Sequence, residues 1–183
     1  LKKIIDIDVA SEFNTIVNIG RVRGNLKSDF NSECPEFYEV IEVFVEIADY
    51  AKNVGVKLAF EPLNRYETNF INNIDEGLNF LKMLDMDDVG LLIDTFHMNI
   101  EEARFRESIL NSCSKILLVH IADSNRKYPG AGHIDFKEII FALLDIGYGG
   151  YVSGEILPWP DSDTAASKTY ELVCNLLNEY SKK

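Results

Sequence analysis

The chain has 183 residues, 46% apolar and 26% charged, enough for one globular domain with a sizeable core. Its formal net charge of −12 repels phosphate backbones and argues against a nucleic-acid partner, though a small anion met by local arginines stays open. No apolar run approaches the ~20 residues of a membrane helix, and Leu1-Lys-Lys-Ile-Ile5 opens no signal peptide, so a cytoplasmic protein without a membrane partner is expected.

In chain order, residues 1–13 read as the tail of a helix or a connector. Thr15 to Gly20 reads as a strand, Arg21-Val-Arg-Gly24 as its loop, and residues 25–33 as polar loop. Pro35 suits a first helical turn, and apolar residues at 37, 40, 41, 44, 45, 48 and 51 predict a helix that Gly55 ends. Lys57-Leu-Ala-Phe60 is a strand. Residues 62–73 form a loop, and residues 74–84 a helix with Ile74, Leu78, Leu81 and Leu84 inward. The run Val89 to Ile93 has the unbroken apolar character of a strand buried on both faces. A short helix near 101–111, a strand at 116–119 and a polar loop from Ala122 to His133 follow. Asp135 is a candidate cap for a helix over 136–146. Gly147 to Gly150 turns into a strand at 151–154, and a helix over 164–180 closes the sequence. Cys34, Cys113 and Cys174 form no C-x-x-C and read as reduced, mostly buried structural thiols.

The alternation of strand and helix, five times over, predicts parallel βα units. Four of the strands end on Glu61, Asp94, His120 and Glu155, separated by 33, 26 and 35 positions, each about one βα unit. The C-terminal ends of parallel strands converge on one rim, where ligand chemistry collects. Singly, each of the four has an ordinary use: a carboxylate at a strand end caps a helix, and a histidine after apolar residues packs in a core. Together they form a set of three carboxylates and one imidazole, suited to one Mn2+, Co2+ or Mg2+ ion.

Three stretches carry a resemblance: Glu61-Pro-Leu-Asn-Arg-Tyr-Glu67, Asp94-Thr-Phe-His-Met-Asn99, and His120-Ile-Ala-Asp-Ser-Asn-Arg126 with Pro129-Gly-Ala-Gly-His133. They resemble the D-tagatose/D-psicose (allulose) 3-epimerase family of the xylose isomerase-like TIM-barrel superfamily. The resemblance implies an α/β fold of the (β/α)8 TIM-barrel type. Here it covers the C-terminal five βα units, a partial barrel forming a single domain over 1–183 without the three N-terminal units. It implies Glu61, Asp94, His120 and Glu155 as ligands of one divalent metal, Mn2+ first and Co2+ or Mg2+ after it. Glu61 and Glu155 would double as the catalytic acid/base pair. His97 and Arg126 would hold the O1–O2 end of a sugar substrate, and Glu67 another hydroxyl.

The implied activity is C3 epimerisation of a ketose, by proton abstraction and return through an enolate-type intermediate. An aldose–ketose isomerase, an inosose dehydratase and a sugar-phosphate 3-epimerase are alternatives, and for the last Arg21 and Arg23 are candidate phosphate ligands, or else loop surface charge. An endonuclease IV-like nuclease is a distant alternative, and an inactive remnant or sugar-binding module the non-enzyme one. Trp159 either covers the sugar or packs on the rim. A partial barrel exposes sheet edges, so self-association into a homo-oligomer is expected.

Overall fold

Val89–Asp94 (β3) is buried at every residue, as a strand covered on both faces must be. The structure, a computed structural model, describes residues 1–11, 16–27, 35–86 and 88–182. Thr15, the loop expected over 28–33 and Cys34 lie outside the described residues. The other strands are Ile16–Ile19 (β1), Lys57–Phe60 (β2), Ile116–Ile121 (β4) and Tyr151–Gly154 (β5), in a five-stranded sheet of order β1-β2-β3-β4-β5. The pairs β1–β2, β2–β3 and β4–β5 are parallel, with Ile19 opposite Phe60, Phe60 opposite Leu91 and His120 opposite Ser153. Helices fill the connections: Lys2–Ser11 (α1), Pro35–Asn53 (α2), Ile74–Leu84 (α3), Thr95–Glu101 (α4), Phe105–Ser112 (α5), Phe136–Asp145 (α6) and Ser162–Tyr180 (α7). This is the expected α/β fold of successive βα units.

By internal contacts the chain forms two compact units, Leu1–Leu92 and Ile93–Lys183. In the first, Phe44 of α2, Phe60 of β2, Phe70 of the following loop and Phe80 of α3 pack as one aromatic cluster, with ring centroids 4.8 Å apart for Phe60–Phe80 and 5.3 Å for Phe44–Phe60. All six pairs among these rings are tilted or edge-on, the arrangement the ring quadrupole favours, and each adds ~1 kcal/mol beyond burial. In the second, Phe136, Ile139, Ile140, Phe141, Ala142 and Leu143 of α6 are buried, whereas β5 is mostly exposed and Ala165 is the one buried residue described in α7.

Three expectations change. The helix expected near 101–111 is two helices, and the first begins at Thr95, directly after the strand, because the Asp94 side chain caps it. Arg21–Arg23 is a turn of 3-10 helix rather than open loop. Cys113 is exposed, not buried, at the end of α5, where the chain leaves the helix with φ 36°. Elsewhere local chemistry agrees with the sequence: Gly55 has φ 79°, and Asp135 accepts the Lys137 and Glu138 N–H groups to cap α6.

Candidate metal centre

In the second unit, Asp94, His120 and Glu155 meet at the ends of β3, β4 and β5, each offering a ligand atom within 4.8 Å of those of the other two. Asp94 is 1% exposed. Its Oδ1 accepts the Phe96 N–H at 2.7 Å, and its Oδ2 accepts from Arg126 Nη1 at 3.0 Å. His120 Nδ1 lies 3.5 Å from Glu155 Oε2. Arg126 Nη2 donates to that same Glu155 oxygen, so one guanidinium bridges both carboxylates. Hydrogen bonding from His120 is the largest cause that pushes the Glu155 carboxyl down to about 2; partial burial opposes it, while Asp94 and the Arg126 charge reinforce it. Glu155 is therefore ionised at neutral pH. Two carboxylates and an imidazole within this span fit a divalent cation of borderline-to-hard character.

Thr95 ties α4 to the end of β4: its hydroxyl donates to Ala122 O at 2.7 Å and accepts the Ala122 N–H at 2.9 Å. That anchor fixes the helix bearing His97, which is 3% exposed. The Arg126 guanidinium also lies over the Phe96 ring, 4.6 Å from its centroid. Trp159, 47% exposed, stacks on Tyr128 at 6.1 Å with Lys127 Nζ 3.6 Å over its ring.

In the first unit, Glu61 follows β2 and is 5% exposed. Asn18 Nδ2 of β1 donates to its Oε2 at 2.7 Å. A Cβ on Gly20 would stand 2.6 Å from that oxygen, so only glycine leaves the carboxylate its place. Glu67 sits in a turn organised by Asn64, whose Oδ1 accepts the Tyr66 N–H at 3.0 Å and whose Nδ2 reaches Glu67 Oε1 at 3.4 Å.

Arg23 is neither of the things its sequence context suggested. Its guanidinium donates to the carbonyls of Phe70 (3.0 Å), Gly20 (3.0 Å), Glu61 (2.7 Å) and Ile71 (3.0 Å), beneath the Phe60 ring. Burial pushes it down to about 10, although the Glu61 charge pulls the other way. These bonds commit Arg23 to main chain, where it struts the Glu61 backbone against the loop at 70–71.

Asp123 escaped the sequence reading. It is wholly buried, and its Oδ1 accepts the N–H of Ser124 (2.7 Å) and Ile134 (3.2 Å), its Oδ2 that of Gly130 (2.8 Å). Burial raises its pKa, but these bonds and one from Gly132 outweigh it, so the carboxyl falls below its ordinary value. The available signal was an aspartate just past a strand with Gly130 and Gly132 downstream, whose amides can approach an anion closely.

The xylose isomerase-like TIM barrel family model matches residues 1–172. The L-ribulose 3-epimerase of Methylomonas sp. is 37% identical over 145 residues, 69% of this chain and 51% of that protein. The D-psicose 3-epimerase of Ruminiclostridium cellulolyticum is 38% identical over 140 residues, 70% of this chain and 48% of that protein. The chain thus spans about half the length of the curated relatives it matches. The crystal structure of Methylomonas sp. D-allulose 3-epimerase in complex with D-allulose superposes with a TM-score of 0.84 at 29% identity, over 95% of this chain and 66% of that one. Together with five successive βα units and metal-ligand chemistry at the strand ends, the family match places this chain in the xylose isomerase-like TIM barrel family.

Proposed function

We propose that the protein is a metal-dependent ketose 3-epimerase, an isomerase of carbohydrate metabolism. The observation that carries this is the convergence of Asp94, His120 and Glu155 at strand ends, in a chain similar to ribulose and psicose 3-epimerases. Glu61, buried at the end of β2, is the proposed fourth ligand, and Mn2+ the proposed ion, with Co2+ or Mg2+ also fitting the donors. The bound cation would supply Lewis-acid polarisation of the ketose carbonyl.

The chain's own groups account for the proton chemistry. The C3 proton is acidic because the neighbouring C2 carbonyl takes up the electron pair. One carboxylate of the Glu61/Glu155 pair accepts that proton, and the carboxyl of the other delivers one to the opposite face. Each turnover exchanges their protonation states, so the pair serves both directions. Arg126 and His97 hold the O1–O2 end and offset charge gathering on the carbonyl oxygen. Glu67 accepts from a further hydroxyl. The exposed apolar residues Tyr151, Leu157 and Tyr170 support a homo-oligomer as the working form, which sedimentation measures directly.

With Mn2+ and a panel of ketohexoses, the protein is expected to form the C3 epimer, and Glu155→Gln to lose about 1000-fold or more in kcat. An aldose product would instead assign aldose–ketose isomerisation.

A further inference from the structure

We propose that Asp123 is a positioning residue: its buried carboxylate fixes the loop of residues 123–134 and thereby sets where the Arg126 guanidinium meets the substrate. The proposal rests on the reading of Arg126 as a substrate-holding group. The bonds of Asp123 are to main-chain N–H groups, so it acts through main chain. Its two oxygens gather the N–H groups of Ser124, Gly130 and Ile134, with Gly132 as a fourth donor, closing the loop on itself. A Cβ on Gly132 would stand 2.2 Å from Asp123 Oδ1, so the loop is built around that oxygen.

Within this loop Arg126 holds a left-handed backbone, φ 63°, uncommon for a side chain of its kind. Such a conformation persists where the surroundings over-determine it. Here Arg126 N–H donates to Asp123 O at 2.8 Å, Asp123 N–H to Lys127 O at 2.9 Å, and Leu157 N–H to Arg126 O at 2.7 Å. Asn125 Nδ2 adds a bond to Ala131 O at 2.7 Å. The strained residue is thus pinned at both its amide and its carbonyl, and its guanidinium projects onto Asp94 and Glu155. A group so constrained is held for a geometric reason, and displacement by about 1 Å costs up to about 100-fold in a positioned site.

The test uses Asp123→Asn, which keeps the volume but turns one acceptor into a donor facing main-chain N–H groups. Expected are a KM for the ketose raised about 10- to 100-fold, a smaller change in kcat, and an Mn2+ affinity within about twofold of the wild type. In an Arg126→Ala background the same change should have almost no further effect, because the residue it acts through is gone. An equal loss in both backgrounds, or an unchanged KM, would overturn the proposal. Gly132→Ala, which crowds the same carboxylate from outside, should reproduce the KM effect if Asp123→Asn does not fold. The readout independent of turnover is the 15N spectrum of Arg126, whose Nη–H signals should be resolved in the wild type and averaged in either variant. Unchanged guanidinium signals overturn the role of Asp123, whereas a wild type that keeps those signals but turns over no ketose overturns the epimerase reading alone.

Discussion

Arg23 shows how a single side chain can hold the backbone of Glu61, the carboxylate proposed as ligand and base, without touching its carboxylate oxygens. Five carbonyls accept from its guanidinium, those of Ile19, Gly20, Glu61, Phe70 and Ile71. Arg23→Met should keep the stem packed on the phenylalanines yet strand those acceptors, at a cost of about 2–4 kcal/mol by urea unfolding. Gly20→Ala tests Glu61 from the other side: the added methyl meets its Oε2 and should lower Mn2+ affinity about 10-fold or more by calorimetry, with little change in unfolding. Glu155 has a pH signature. Its folded pKa, about 2, lies below the ordinary carboxylate value, so its contribution to stability is present above about pH 4.5 and disappears as pH falls towards 2. Carboxyl-carbon NMR of the metal-free protein should show Glu155 titrating last among exposed glutamates; a midpoint near the ordinary value would remove the bridge with His120 and Arg126.

Each strand hands its chemistry to the following element through a cap or a turn. Asp94 ends β3 and starts α4 with one side chain, so its two oxygens serve different masters: Oδ1 the Phe96 amide, Oδ2 the arginine. Asp94→Asn can retain the cap through its remaining oxygen but loses the charge. It should weaken Mn2+ binding at least about 10-fold while lowering stability less than Asp94→Ala, which also forfeits the cap, worth about 1 kcal/mol. Titration calorimetry and urea midpoints on the two variants separate the roles. Element positions were readable from the sequence because apolar periodicity and caps are local: residues 74–84 and the Asp135 cap appear as expected. The early start of α4 was not, because capping was weighed only as an alternative to ligand chemistry, whereas the two Asp94 oxygens do different things. Arg23 was illegible for another reason: most of its partners are main-chain carbonyls some forty residues on, which no residue pattern announces. Asp123 left only the weak signal of downstream glycines, because its partners are main-chain amides within its own loop.

At the scale of the whole chain, five βα units in sequential strand order agree with the fold expected from alternating strands and helices. The candidate ligands could be picked out at this scale since they recur at one position per unit, a regularity visible even though each residue alone has an ordinary use. The central claim is that this arrangement moves the proton on carbon 3 of a ketose. The most direct measurement loads the protein with Mn2+ in D2O, adds a ketohexose, removes the metal after a timed quench, and locates deuterium by NMR. Deuterium at C3, in recovered substrate and in its epimer, is the predicted result. Deuterium at C1 with an aldose product, or no deuterium at any carbon, would contradict it.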